Sequence, residues 1–125
     1  MITLLFLAAV PTCVAADDTS ANPRTVRAGE TELQIEVIGI DDPARITMLR
    51  RWAEEAARAT TLPSGRFPLR TARAEVREID SRSGSPVPWG QTSRNDEVTV
   101  LLYVRRGTSR EQLRADWTAV HEFSH

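Results

Sequence analysis

Hydrophobic residues recur along this chain with two different periods, and the periods predict where strands and helices lie. Over residues 33–40 apolar and polar residues alternate, which is typical of a strand with one buried face. Over 43–59 the apolar residues instead recur three and four positions apart, as on one face of a helix. Asp42 can cap that helix and Pro43 can occupy its first position, so we expect it to begin there. Trp52 lies on the apolar stripe, which favours a place in the core over a ligand-binding role.

Two more strands are predicted in the second half of the chain, with a long loop between them. Short or apolar residues alternate with Arg and Glu over 69–79, and a nearly continuous apolar run over 98–104 predicts a strand buried on both faces. Residues 81–95 between them contain Gly and Pro and are predicted to be a loop, long enough to suggest a functional role. Its central residues are candidates for the rim of a cleft, although the tryptophan can equally fill a gap beneath the loop: Trp89, Gly90 and Gln91.

The last predicted element is a single helix over 110–125. Ser109 and Gln112 have the spacing of a capping box, and no Gly or Pro follows to break the helix. Its apolar face would carry Leu113, Ala119, Val120 and Phe123. Its opposite face would carry Arg114, Trp117, Thr118, His121 and His125. Asp116 falls on the apolar face, where we expect an ion pair with an arginine; support of a neighbouring site is the alternative.

Composition and charge exclude some classes of function. With 125 residues and 41% hydrophobic content, the chain suits one small globular domain, and the order of its predicted elements indicates an α+β fold. Its formal net charge is −1, and all 16 basic residues are arginines interspersed with acidic residues. No basic block is present, so the pattern argues against nucleic-acid binding.

The N-terminus has the pattern of an export signal. Residues 1–16 resemble a signal peptide with an apolar core over 4–10, and cleavage is expected after Ala16, although no basic side chain precedes the core. That core is too short to span a bilayer, so we expect an exported protein without a stable membrane span. Cleavage would remove Cys13, the one cysteine, and with it any basis for a disulfide. The polar segment 17–24 is predicted to be a disordered lead, with the domain over 25–125.

Residues 121–125 spell H-E-x-x-H, and this motif indicates a chemistry. Both histidines of the chain, His121 and His125, fall within it. Residues four apart on a helix differ by about 40° in azimuth and one turn in height, so both imidazoles can bind one metal ion. Glu122 can flank that ion without binding it. A catalytic zinc normally has three protein ligands, so we expect a third beyond residue 125 or on another chain.

The stretch 117–125, with its apolar lead into H-E-F-S-H, resembles the zincin metallopeptidases, in particular the gluzincin branch of thermolysin-like and aminopeptidase-like enzymes. The resemblance implies a small mixed sheet with two packed helices, the last being the active-site helix of a partial zincin-like domain. It implies Zn²⁺ bound by His121 and His125, and Glu122 as the general base that activates water for peptide-bond hydrolysis. In that family the third ligand, a glutamate, and an oxyanion-stabilising His or Tyr come later in the chain.

The resemblance also implies a peptide or protein substrate, bound along a strand edge that borders the cleft. In this chain that edge would fall near 89–94 or on 98–103. The 125 residues alone are expected to be inactive, since two ligands do not hold a catalytic zinc. The sequence leaves two other hypotheses open. One is a catalytically silent, zincin-like extracytoplasmic binding module; the other is a small α+β domain in which the motif is coincidental. The pattern says nothing about oligomeric state.

Overall fold

A computed structural model describes residues 22–28, 31–60, 71–95 and 97–125. The predicted signal peptide, the first five residues of the predicted lead and the start of the strand predicted over 69–79 lie outside these ranges. The elements in chain order are β1 (Arg24–Ala28), β2 (Thr31–Ile38), α1 (Pro43–Ala59), β3 (Thr71–Ile79), β4 (Trp89–Arg94), β5 (Val98–Arg105), α2 (Arg110–Ala115) and α3 (Thr118–Phe123). Within these ranges, no helix is both long and apolar enough to cross a membrane.

The strands form one mixed sheet in the order β1-β2-β3-β5-β4. The three inner strands β2, β3 and β5 run parallel, whereas β1 and β4 pair antiparallel at the two edges. Helix α1 forms the crossover that joins β2 to β3, as parallel neighbours require. This arrangement confirms the α+β class expected from the sequence.

One face of the sheet and the helices enclose the core. Alternate residues of each inner strand are buried there, because side chains of a strand point to opposite faces. Trp52 of α1 is 2% exposed, and its Nε1–H donates to the Leu113 carbonyl of α2 at 3.0 Å, which confirms its predicted place in the core. The buried hydrophobic residues are Val26, Leu33, Ile35, Val37, Leu49, Trp52, Ala53, Ala56, Ala57, Ala72, Ala74, Val76, Val87, Val100, Leu102, Val104, Leu113, Ala119 and Phe123.

The opposite face of the sheet is only partly covered in the described part of the chain. Leu101 and Tyr103 of β5 lie there half-buried, so the prediction that this strand is buried on both faces is wrong. Beside them, Arg73 on β3 contacts Glu36 on β2 at 2.5 Å. Ion pairs of this kind suit a solvated surface. The apolar run over 98–104 reflects an inner position in the sheet, between β3 and β4, rather than two buried faces.

The edge strands are the elements that hydrophobic periodicity does not predict. Strand β4 lies inside the predicted loop 81–95, and β1 begins at Arg24, which the sequence analysis assigned to the disordered lead. The side chain of Asn22 also pairs with the backbone of Val37, donating to its carbonyl at 2.7 Å and accepting from its N–H at 2.9 Å. Each edge strand pairs with a single neighbour and carries few apolar side chains, so alternation is weak.

The local signals at helix starts are confirmed. The Asp42 carboxylate accepts from the Ala44 N–H at 3.0 Å, and α1 begins at Pro43 as expected. Ser109 and Gln112 form both halves of a capping box at the start of α2. The prediction of one unbroken helix over 110–125 is wrong, however, since α2 ends at Ala115, α3 begins at Thr118, and α3 ends at Phe123, before His125. Three helices therefore pack where two were expected.

Candidate metal-binding site

The break between α2 and α3 sets the position of the H-E-x-x-H segment, and Asp116 stabilises this break. The backbone of Asp116 is extended, with φ −85° and ψ 130°. Its carboxylate accepts from the Thr118 N–H at 2.8 Å, the Ser85 hydroxyl at 3.1 Å and the Val87 N–H at 3.3 Å. The predicted ion pair with an arginine is therefore wrong. The first backbone N–H groups of a helix lack partners within the helix, and a nearby carboxylate accepts their hydrogen bonds. The Asp116 carboxylate thus obtains its partners from N–H and O–H donors instead of from an arginine.

The break also changes which side chains of α3 are buried. Phe123 and Ala119 lie in the core as predicted, whereas Val120 is 38% exposed instead of buried. Glu122 is only 9% exposed, because α3 turns it towards β4. His121 and His125 are exposed, as the predicted wheel requires for ligands that face a cleft.

The two histidines lie close together. Their Nε2 atoms are 3.1 Å apart, and the ring centroids are 4.6 Å apart with the planes at 85°. Two nitrogens on one tetrahedral zinc ion, with bonds of about 2.0–2.1 Å, would be roughly 3.3 Å apart. The imidazole pair therefore fits a shared ion. A direct hydrogen bond fits the distance as well, if one ring carries its proton on Nε2. Trp117 packs edge-on against the His121 ring at 4.9 Å.

Glu122 is held against strand β4 rather than projecting freely beside the histidines. The Thr92 hydroxyl lies 2.8 Å from the Glu122 carboxylate Oε2 and 2.8 Å from the carbonyl oxygen of the same residue. Gly90 lies beneath the side chain, so closely that a Cβ at this position would be 2.7 Å from Glu122 Cγ. The candidate base thus occupies a cradle formed by two residues of β4.

The cradle opens onto a groove with a volume of about 490 Å³, lined by Gly90, Gln91, Thr92, Arg94, Glu122 and His125. In the described part of the chain, the outer edge of β4 has no strand neighbour. Gly90 and Gln91 thus lie where the sequence analysis placed a possible cleft rim. Trp89 does not line the groove, and its ring packs against Tyr103 at 5.1 Å between ring centroids.

Two features of the site were missed by sequence reasoning. The first is the role of Thr92, a single threonine in a polar segment, and the second is the close approach of Gly90 to α3. Neither carries a sequence signal on its own. A paired signal exists only once β4 is known, since alternate residues of a strand share a face and Gly90 and Thr92 are two positions apart.

The histidine pair has no third candidate ligand beside it in the described part of the chain. Among the residues that the structure describes, no group of three His, Cys, Asp or Glu side chains is arranged to hold an ion. Comparison with protein-family models gives no match, and comparisons with curated proteins and with solved structures give none either. The resemblance to gluzincins stays a prediction from the motif.

Proposed function

We propose that this chain supplies the metal-binding helix and the general base of an exported, zinc-dependent peptide hydrolase. The observation that carries the proposal is the 3.1 Å separation of His121 Nε2 and His125 Nε2, with Glu122 between them in sequence. Both histidines of the chain fall within the motif, and their rings lie next to each other. A glutamate on a third element, from a longer polypeptide or a partner chain, would complete the ligand set.

The residues have separate tasks in this proposal. His121 and His125 hold the ion through their Nε2 atoms, which requires both nitrogens to be unprotonated. Zinc, when bound, supplies a Lewis acid that activates water near neutral pH and polarises the substrate carbonyl. Glu122 takes the proton from the attacking water and returns it to the leaving amine.

Strand β4 is the proposed substrate edge. A peptide laid along it would pair with the backbone groups of Trp89–Arg94 on the edge that has no strand neighbour in the described ranges, which is one of the edges that the family resemblance implies. The groove beside Glu122 and His125 would then bring a scissile carbonyl next to the base. Backbone pairing is independent of side-chain identity, so this edge favours a peptide over other amides.

The test uses the whole protein, purified with zinc. We expect His121→Ala to lose its zinc in elemental analysis, because one imidazole and one further ligand do not retain the ion. We expect Glu122→Gln to keep its zinc and to lose hydrolysis of a casein-derived peptide mixture by about 10²–10⁴-fold. Glu111→Gln, on the exposed face of α2, is the matched control and should leave both values unchanged. Unaltered zinc content in His121→Ala, or full activity in Glu122→Gln, would refute the proposal.

A further inference from the structure

The hydroxyl of Thr92 contacts both the backbone carbonyl and the side-chain carboxylate of Glu122. A threonine hydroxyl has one proton to donate, and two oxygens of Glu122 lie 2.8 Å from it, the backbone carbonyl and Oε2. A donor shared in this way ties the side chain of the glutamate to its own main chain. Fewer rotamers of the glutamate remain, since those that point Oε2 away from β4 lose the bond.

We propose that Thr92 is the positioning residue for Glu122, holding Oε2 so that Oε1 is the oxygen that exchanges protons. The proposal rests on the proposed function, because only there does Glu122 act as a base. In the described part of the chain, the hydrogen bond to this carboxylate is made to Oε2 and none is made to Oε1, and Glu122 and His125 line the same groove. One oxygen anchored and one unengaged is the arrangement a base needs, since a general base must be held within reach of its proton.

The other features of β4 agree with this role. Gly90 provides room for the Glu122 Cγ, and Thr92 follows two positions later on the same face of the strand. Thr92 is opposite Val100 in the β5 pairing, so its backbone is fixed by the sheet. A β-branched side chain on a strand also has restricted χ1, which fixes the hydroxyl direction. The base is thus oriented by the same strand that we propose to bind the substrate.

The test compares Thr92→Val, which keeps the side-chain shape without the hydroxyl, with Thr92→Ser, which keeps the hydroxyl. In the whole protein purified with zinc, Thr92→Val should retain its zinc and lower kcat by about 10- to 100-fold, with KM changed less than about threefold. Thr92→Ser should restore most of kcat. Thr99→Val makes the same substitution on the opposite face of the sheet and should leave kcat unchanged. A serine variant as impaired as the valine variant, or a valine variant with unaltered kcat, would overturn the role.

A second measurement is independent of turnover. Thr92→Val, Glu122→Met and the double variant are compared by thermal unfolding without peptide. If the hydroxyl and the carboxylate are bonded, each single change should lower Tm by about 5 °C, and the double variant should lose clearly less than the sum. Additive losses would overturn the contact. If the losses of Tm in the variants are non-additive but the wild-type protein binds zinc and hydrolyses no peptide, the proposed function is refuted. The catalytic role of Thr92 is then refuted with it, and the contact between Thr92 and Glu122 is only structural.

Discussion

Replacing Gly90 with alanine tests the packing on which the candidate site depends. The added Cβ would be 2.7 Å from Glu122 Cγ and 3.1 Å from Thr118 Cγ2. Carbon atoms in contact are normally about 3.5–4.0 Å apart, so the first contact is short by roughly 1 Å. Cγ is an inner atom of the glutamate, and it cannot yield unless the side chain changes rotamer or α3 moves.

The size of the effect follows from two opposing contributions. Overpacking of this kind destabilises by about 1–3 kcal/mol. Against it, alanine in a strand interior is favoured over glycine by about 0.5–1 kcal/mol, because glycine loses more backbone freedom on folding. The net expectation is a loss of about 1 kcal/mol, or a decrease in Tm of about 5 °C for a domain of this size. Displacement of Glu122 should also lower kcat while zinc content stays the same.

Gly84→Ala is the matched control for thermal unfolding. A Cβ at Gly84 would meet no atom within 4 Å, and its φ is not positive, so alanine fits there without strain. We expect this variant to be stabilised by about 0.4–1 kcal/mol, through the reduced freedom of the unfolded chain. The two alanine variants should therefore shift Tm in opposite directions. If Gly90→Ala is as stable as Gly84→Ala, α3 does not lie against β4 in the way described, and the cradle around Glu122 is wrong.

Two further substitutions test how the chain starts its C-terminal helices. Asp116→Ala removes the acceptor shared by the start of α3 and the loop before β4, and should lower the free energy of unfolding in urea by about 1–2 kcal/mol. Asp116→Asn should recover part of this loss, and an unchanged urea midpoint in Asp116→Ala would contradict the role of Asp116. Ser109→Ala removes the N-cap of α2 and should lower stability by about 1 kcal/mol without altering zinc content, since the capping box is remote from the histidines. Loss of zinc in that variant would show that α2 supports the metal site directly.

The sequence predicts those parts of the fold that local chemistry determines. Asp42 and Pro43 define the start of α1 because capping depends on neighbours in the chain, and Trp52 is buried because the helical period places it on the apolar stripe. The spacing of four in H-E-x-x-H likewise brings the two rings together, although His125 lies two residues beyond the end of α3 at Phe123. Each of these predictions uses only the order of residues within one short stretch of the chain.

The remainder depends on contacts between segments distant in sequence. Asp116 interrupts the C-terminal helix because Ser85 and Val87, about thirty positions away, donate to its carboxylate. The sequence predicts a loop at β4 because an edge strand needs only one neighbour, and its polar residue Thr92 contacts α3 instead of the core. A helical wheel cannot anticipate either effect.

The helix break at Asp116 and strand β4 belong to one structural unit, and for this reason the candidate site is the part of the fold that differs most from its prediction. The break at Asp116 lets α3 rotate so that Glu122 faces β4, and β4 in turn offers Gly90 and Thr92 to receive it. An unbroken helix would leave Glu122 flanking the histidines with no defined partner. Strand, helix break and glutamate therefore depend on one another, and a change that frees Glu122 from β4 should disturb the strand edge as well. Hydrogen exchange of the β4 amides in Glu122→Met measures this directly: faster exchange along β4 than in wild type is expected, and equal protection would separate the base from the strand.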